Sequence, residues 1–397
     1  MSEWKKGFLS DMVTDPITYG IVQPGDFRKD GVPLIRGKDY MQGWTGEGDL
    51  FRVDPGLHEK YKRSKVTKGD ILLSIAGYVG ETAVVPEWIE EANITQTSAR
   101  IRCNEGILLG KYLFYFLQSN EGKEITKRFS KGSAQSGLNL ADIGKFEIPV
   151  PPLPEQRKIA EILSGIDDLI KKKERQIESL ENLEVSVLDF LANQEIKKGT
   201  DLVSLGEVVS PNRKITYGIV QAGPNIKGGI PYIRVTDMSE EKLDVNKMLR
   251  TSPEIAKKFS RSEVQEGDIV VALRGIIGVT HLIDEQTSGA NLTQGTALLS
   301  RSEKFSPLYL NTILRSQFCK QQFSLLSKGS TIVEITLSSL ATLRIPLPSI
   351  STQERIAKSV SSIRCQINAS KKSLLSIKSM KSAVSIDLLS GRKRVGV

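Results

Sequence analysis

Apolar residues in two stretches of the chain recur at alternating steps of four and three positions, which is the spacing of a coiled-coil seam. The first stretch covers 159–191 and the second covers 356–388, and both are interrupted by polar residues at the same two layers. The pattern predicts two long helices. Their predicted seam residues are Ile159, Leu163, Ile166, Ile170, Ile177, Leu180, Ile356, Val360, Ile363, Ile367, Leu374 and Ile377.

An amphipathic helix more often packs on the core of its own domain than on another helix. In this chain, however, the two seams share one register and differ in charge. Residues 149–199 hold eight basic and ten acidic residues, whereas residues 346–397 hold ten basic and two acidic residues. Matching seams of opposite charge favour pairing of the two helices with each other.

Short apolar runs bounded by Gly-Asp or Pro lie ahead of each long helix and predict strands. In the first half of the chain they cover 32–35, 70–75, 82–85 and 94–101, and the second half has counterparts. Longer apolar stretches with a three-to-four spacing, at 111–118 and 308–316, predict helices. A mixed α/β domain therefore precedes each long helix.

The sequence contains an internal duplication. Ile17-Thr-Tyr-Gly-Ile-Val-Gln23 recurs 198 positions later at 215–221, and after one deletion Lys131-Gly-Ser133 recurs 197 positions later at 328–330. We divide the chain into a first α/β domain at 1–148, a first helix at 149–199, a second α/β domain at 200–345 and a second helix at 346–397.

The connectivity limits how the two copies can be arranged. A duplicated unit closes most simply about a pseudo-twofold axis with its helices antiparallel. We therefore predict a mixed α/β protein with an internal duplication, in which two domains are joined by two long helices that form an antiparallel coiled coil. The 159–191 seam would be about 50 Å long at about 1.5 Å per residue. Inverted, rigidly spaced domains suit two half-sites on duplex DNA.

Composition narrows the classes of function. The chain has 397 residues, a net charge of +9, three cysteines and two histidines. The positive charge indicates an acidic partner such as nucleic acid, although most of it lies in 346–397 and also fits pairing with the acidic helix. So few Cys and His residues argue against a disulfide framework, a metal site or His-based catalysis. Without a membrane-length apolar run or a signal-peptide pattern, we expect a cytoplasmic protein with no membrane contact.

Motifs for catalysis are missing from the sequence. It has no Gly-x-x-x-x-Gly-Lys-Ser/Thr loop, no Asn/Asp-Pro-Pro-Tyr/Phe segment and no Gly-x-Gly-x-x-Gly after a strand. Asp70 and Asp268 recur at equivalent places, but each stands in a Gly-Asp pair before an apolar strand, where a turn role is favoured. We expect no catalytic residues, no cofactor and no metal.

Side chains that read DNA must reach base edges, while others contact phosphates. We select tyrosines beside glycines, cations that follow strands, residues in the Gly-x-x-Gly loops, and the small basic Lys-Gly-Ser segments. Each also has an ordinary structural interpretation as a turn residue or a solvated charge. The candidate DNA-binding residues are Tyr19, Arg36, Lys38, Tyr78, Lys131, Ser133, Tyr217, Arg234, Arg274, Lys328 and Ser330.

Two further pairs of residues are interpreted differently. Gln96 lies within the predicted strand 94–101 and Gln294 within its counterpart, and we favour a role as caps of buried backbone over a role in DNA contact. We interpret the glycines after Tyr19 and Tyr217 as flexible turns.

Several motifs, each present twice and in the same order, make the chain resemble the DNA-specificity subunits of type I restriction-modification enzymes. They are 32–36 with 230–234, 69–73 with 267–271, 93–96 with 291–294, and the boundary Ile148-Pro-Val-Pro-Pro-Leu-Pro-Glu-Gln-Arg-Lys-Ile-Ala160 with its weaker counterpart at 345–357. The resemblance covers essentially the whole chain. It implies two target-recognition domains, each reading one half of a split double-stranded DNA sequence.

The resemblance also implies that the helices dock two modification subunits, which carry the S-adenosylmethionine chemistry, with restriction subunits as further members of some assemblies. One departure from the family pattern concerns the loop after the second strand, where the second copy has Leu273-Arg-Gly275 but the first has Ile75-Ala-Gly77. The alternative hypothesis is a non-catalytic protein-binding scaffold with a coiled-coil spacer.

Overall fold

The computed structural model describes residues 4–41, 43–131, 137–239, 242–329 and 333–396. The chain forms two compact units, the first from 1–173 together with 373–397 and the second from 174–372. Each long helix therefore contributes one part to each unit. The four segments predicted from the sequence follow the order of the chain and remain a prediction, because the compact units cut across both helical segments.

The first unit contains nine strands and four shorter helices among its described residues. The strands are β1 (Lys5–Phe8), β2 (Thr18–Tyr19), β3 (Val32–Ile35), β4 (Phe51–Val53), β5 (Ile71–Ser74), β6 (Thr82–Val84), β7 (Asn93–Ile94), β8 (Ser98–Ile101) and β9 (Glu147–Val150). The helices are α1 (Pro55–Lys60), α2 (Gly110–Gln118), α3 (Asn120–Phe129) and α4 (Leu140–Gly144).

These strands form two sheets and a ribbon. One sheet has the order β2-β8-β5-β6 with antiparallel pairs, and the other has the order β4-β3-β7, in which β3 and β7 are parallel. The ribbon pairs β1 with β9. Ile71 and Leu73 on β5 pack into the same core as Tyr112 and Phe116 of α2, so the helix covers one face of the four-stranded sheet.

The second unit repeats this topology. The first of the two long helices, α5 (Leu153–Lys197), precedes its strands β10 (Leu202–Ser204), β11 (Thr216–Tyr217), β12 (Ile230–Ile233), β13 (Arg250–Thr251), β14 (Ile269–Ala272), β15 (Thr280–Leu282), β16 (Asn291–Leu292), β17 (Thr296–Leu299) and β18 (Arg344–Pro346). Its helices are α6 (Leu205–Val208), α7 (Pro253–Lys258), α8 (Pro307–Ile313), α9 (Gln317–Leu326) and α10 (Leu337–Thr342), followed by the long helix α11 (Ile350–Leu389).

The strand orders β11-β17-β14-β15, β13-β12-β16 and β10-β18 match those of the first unit one for one. The predicted mixed α/β fold with an internal duplication is confirmed. No described helix is long and apolar enough to cross a membrane.

One predicted strand is wrong in extent. The run 94–101 is two strands, β7 and β8, separated by a turn in which the Ser98 amide donates to the Thr95 carbonyl at 3.1 Å. The chain leaves the three-stranded sheet at Ile94 and enters the four-stranded sheet at Ser98. Because both strands are buried, their apolar pattern runs together in the sequence.

The long helices α5 and α11 pack antiparallel within each unit, as predicted. In the first unit the beginning of α5 meets the end of α11, because Ile159 and Leu163 share a core with Leu388 and Leu389. In the second unit the end of α5 meets the beginning of α11. All twelve predicted seam residues are buried or half-buried.

Charged residues at the interrupted layers pair across the helices. In the second unit the Glu184 carboxylate, which is 7% exposed, accepts from Arg364 Nε at 2.8 Å and Nη2 at 2.6 Å, and from Arg315 of the α8–α9 connection at 3.3 Å. In the first unit Lys381 Nζ lies 2.5 Å from the Asp167 carboxylate. Both acids belong to α5 and both helical bases to α11, which agrees with the charge difference between the helical segments.

A glutamine ties the start of each long helix to its α/β domain. The buried Gln156 side chain donates to the carbonyls of Ile107 and Pro151, both at 2.9 Å, and accepts from the Leu109 amide at 2.8 Å. Gln353 makes the corresponding three bonds at the start of α11. The Gln of the boundary motif is therefore a structural residue.

Gly20 and Gly218 are required by close backbone packing. A methyl group on Gly20 would lie 1.7 Å from the Ile94 carbonyl oxygen, and one on Gly218 would lie 1.9 Å from the Leu292 carbonyl oxygen. Neither glycine has a positive φ. The flexible turns expected at these glycines are therefore wrong, because each glycine is there to let the chain pass directly against a neighbouring strand.

We expect Glu184→Ala to lower the free energy of unfolding by about 2 kcal/mol, since it leaves two guanidinium groups without their acceptor. Urea or thermal unfolding of the full chain measures the effect. Glu178→Ala, on the exposed face of the same helix, is the control and should change stability by less than about 0.5 kcal/mol. If the effects of Glu184→Ala and Arg364→Ala simply add in the double variant, the pair is not coupled.

We expect Gly20→Ala to destabilise the chain by about 3 kcal/mol, because the new methyl group forces the strand away from Ile94. Hydrogen exchange of the Ile21 amide, which donates to the Ile94 carbonyl at 2.7 Å, should accelerate. Gly48→Ala is the control, since nothing lies within 4 Å of its methyl position. Equal stability and equal exchange rates in the two variants would contradict this close packing.

Candidate nucleic-acid interface

The turn between β7 and β8 is the point at which several strand ends meet. The Thr95 amide donates to the Ile35 carbonyl at 3.2 Å, the Gln96 amide to the Ile21 carbonyl at 3.0 Å, and the Ile75 amide to the Thr97 carbonyl at 2.8 Å. The segments that follow β2, β3 and β5 are thereby joined at one place. We call this the sheet-end surface, formed by 19–23, 36–38, 76–80 and 95–97 in the first unit and by 217–221, 234–236, 274–278 and 293–295 in the second.

The sheet-end surface collects most of the candidates selected from the sequence. Tyr19 and Tyr217 are each 46% exposed on it, and Tyr78 is 72% exposed in its glycine loop. Lys38 is exposed and makes no ion pair with a described residue. These side chains have both the exposure and the chemistry for stacking on bases or contacting phosphates.

The arginines that follow β3 and β12 are held within their own units. Arg36 donates from Nε and Nη2 to the two oxygens of Asp39, both at 3.1 Å, and its guanidinium lies 5.2 Å from the centre of the Phe51 ring. Arg234 pairs in the same way with Asp237, whose carboxylate raises the pKa of Arg234. A bidentate pair of this kind fixes the turn after the strand, so a DNA contact by Arg36 or Arg234 remains a prediction.

The Gly-x-x-Gly loops differ between the units although their backbones are alike. Gly77, Gly80, Gly275 and Gly278 all have positive φ, between 69° and 96°, which explains the requirement for glycine. In the second unit Arg274 is half-buried and donates from Nη2 to the Gln294 carbonyl at 3.4 Å. Its Nε is buried without a partner among the described residues.

Lys131 and Lys328, the first residues of the Lys-Gly-Ser segments, lie beside these loops. Bridges join Ala76 and Lys131 to Gly137, and join Arg274 and Lys328 to Glu334. Lys131 Nζ lies 3.0 Å from Asp142, and hydrogen bonds from Lys131 and Lys145 lower the pKa of the Asp142 carboxyl to about 2.

Lys328 is exposed, and Ser339 occupies the place that corresponds to Asp142. The predicted residues Ser133 and Ser330 lie outside the described residues.

The expectation for Gln96 and Gln294 is wrong. Both side chains are exposed at the tip of the turn, and neither makes a side-chain hydrogen bond to a described residue, so they do not cap buried backbone. The run 94–101 was interpreted as one strand, which hid the turn that presents them.

Arg63 and Arg261 are two further exposed cations that were not among the DNA-binding candidates selected from the sequence. They are exposed in the short 3₁₀ turns Lys62–Ser64 and Ser260–Ser262, which pack beside β2 and β11. The signal for them was available, because Arg-Ser recurs at the same offset of 198 in both copies.

Asp70 and Asp268 serve structural roles. They accept from the amides of Thr67 and Gln265 at 2.9 and 2.8 Å, as the predicted turn role requires. Arg102 and Arg213 pair with them.

The ligand atoms of His58, Glu59 and Glu91 lie within 4.8 Å of one another. The second unit has Ala256, Lys257 and Gly289 in those places, so this group is not shared by the duplicated units.

A family model for the type I restriction modification DNA specificity domain matches the chain twice, at 1–182 and at 198–378. The EcoBI specificity subunit of a type I restriction enzyme from Escherichia coli is 27% identical over 367 residues, covering 84% of this chain and 73% of the relative. The MjaVIII specificity subunit from Methanocaldococcus jannaschii is 26% identical over 417 aligned positions, covering 96% and 94%.

Solved structures have the same fold. The S subunit of a type I restriction-modification system from M. genitalium aligns with a TM-score of 0.59 at 16% identity, covering 97% of this chain and 96% of that chain. A chain from a study of the assembly and conformational transition of a type I system aligns with a TM-score of 0.63 at 18% identity, covering 98% of both. With both halves of the sequence matched by the family model, the chain belongs to the family of type I restriction-modification DNA-specificity subunits.

Proposed function

We propose that each unit reads one half of a bipartite double-stranded DNA target through its sheet-end surface, and that the long helices dock two modification subunits, to which restriction subunits can be added. The chain acts as the specificity subunit and its partners supply the chemistry. One observation carries the proposal: the same surface occurs twice, on the same backbone support, with different side chains in its glycine loops. Tyr78 and Ala76 of the first unit correspond to Ile276 and Arg274 of the second.

The chemistry of the surface supports DNA contact. The exposed tyrosines offer rings for stacking and hydroxyls for hydrogen bonds, and the positive-φ glycines allow backbone amides to approach phosphates closely. Lys38, Lys131 and Lys328 are exposed cations at its edge. The Lys131 side chain is 70% exposed although its partner Asp142 is buried, so its ammonium group is accessible to a phosphate.

The helical pair of each unit carries features that suit protein docking. Large apolar side chains are exposed there: Leu169, Leu375 and Met380 in the first unit, and Leu183, Val185 and Phe190 in the second. Exposed apolar residues in a set of this kind mark protein contacts more often than contacts with nucleic acid. Each unit contains part of both helices, so each unit offers its own docking face.

Replacement of residues 12–147 by the matching domain of a relative should change one half of the methylated target and leave the other half intact. Sequencing of adenine methylation in cells that also carry the modification subunits measures the target. The reciprocal replacement in the second unit is the control. A scaffold without sequence readout would leave the methylated sequence unchanged in both chimaeras, and a change of both half-sites together would contradict independent reading.

Insertion of one heptad after Ser179 and one after Ser376 should lengthen the gap between the half-sites and preserve the half-sites themselves. Seven residues add about 10 Å of helix, or about 3 base pairs, and keep the seam register. Methylation of targets with a range of gap lengths measures the change. If the added twist misaligns the domains, methylation of every gap length is lost; unchanged preference for the original gap would mean that the helices do not set the spacing.

A further inference from the structure

Gln96 and Gln294 are exposed residues that the duplication has kept identical while the neighbouring loops diverged. Both stand at the tip of the turn between two sheets, at the centre of the sheet-end surface. Neither side chain has a hydrogen-bond partner among the described residues. A structural role would require a side-chain hydrogen bond or burial to account for the identity, and the described part of the chain provides neither for these two side chains.

The two turns present the glutamines in the same way. The amides of Gln96 and Gln294 donate to the carbonyls of Ile21 and Ile219 at 3.0 and 3.1 Å. In the first unit the Ser98 amide donates to the Thr95 carbonyl at 3.1 Å and closes the turn. In the second unit the Thr296 amide donates to the Thr293 carbonyl at 3.1 Å in the same way. The glycines at 20 and 218 bring the neighbouring strand into backbone contact just before the turn. The backbone beneath each glutamine is therefore held in one geometry.

We propose that Gln96 and Gln294 read the same kind of base pair, an A·T pair, in the two halves of the target, so that the half-sites share one position although they differ at others. This inference rests on the proposed function. A side-chain amide offers one acceptor and a pair of donors, which match N6 and N7 of adenine in the major groove. Identical side chains on identical backbones select identical bases.

The neighbours of the glutamines explain why only this position should be shared. The first unit places Ala76 and the exposed Tyr78 beside the turn, whereas the second places Arg274, whose guanidinium donates to the Gln294 carbonyl itself. Arginine prefers guanine, and neither alanine nor tyrosine reproduces that preference. The base pairs next to the shared A·T pair should therefore differ between the half-sites.

The test uses the full chain expressed with its modification subunits in cells without other adenine methylation. A plasmid library with randomised half-sites is the substrate, and single-molecule sequencing reads the methylated sequences. The wild-type complex should require an A·T pair at one common position in both half-sites, in addition to the adenine that is methylated. Gln96→Ala should reduce the preference for that pair by roughly 10- to 100-fold in one half-site only, and Gln294→Ala should do so in the other.

Gln96→Glu provides a gain-of-preference test, because a carboxylate accepts but does not donate and therefore favours cytosine N4. It should move the preference at the same position from A·T towards C·G. Each variant is the control for the half-site that it does not touch, and Gln321→Ala, an exposed glutamine on α9, controls for loss of a surface amide.

The outcomes separate this inference from the proposed function. A wild-type complex that methylates no bipartite sequence overturns the proposed function. A bipartite target without a common A·T pair besides the methylated adenine overturns only the inference, and so do Gln96→Ala and Gln294→Ala variants with unchanged preferences. A uniform loss of methylation, with weaker recovery of modification subunits on the tagged chain, also overturns it, since the turn would then contact a protein.

Discussion

The antiparallel pairing of α5 with α11 is the constraint on which both units depend, because neither unit is complete without a part of each helix. The charged layers decide which helices can pair. Asp167 and Glu184 lie on α5, and their partners Lys381 and Arg364 lie on α11. If two copies of α5 paired in this register, acid would face acid, and two copies of α11 would bring base against base. The seam therefore favours the pairing of unlike helices.

Each long helix is hydrogen-bonded at its start to the α/β domain that precedes it. Gln156 and Gln353 each make hydrogen bonds to three backbone groups, and each such bond contributes about 1 kcal/mol. Arg315 and Tyr115 add contacts from the domains to the charged layers, with the Tyr115 hydroxyl donating to Asp167 at 2.9 Å. Because the start of each helix is tied to its domain in this way, a helix-determined spacing can be transmitted to the surface.

The sheet-end surface combines residues that build it with residues that remain available. Arg36, Arg234 and the glycines at 20 and 218 are engaged in holding the backbone. The side chains of Tyr19, Tyr78, Gln96 and their counterparts extend from that framework without a side-chain hydrogen bond to a described residue. A rigid framework with exchangeable exposed side chains allows the proposed recognition surface of one unit to change without loss of its fold.

The sequence alone determined the duplication, the helical seam and the α/β class, because these depend on periodicities and repeats that are local or have a fixed offset. It also led to Tyr19, Tyr78 and their counterparts, which stand beside glycines. Only the tertiary structure decided that 94–101 is two strands, that Gly20 is required by Ile94 and that Gln96 is exposed. Each of these depends on contact between segments far apart in the chain, and composition carries no record of which segments those are.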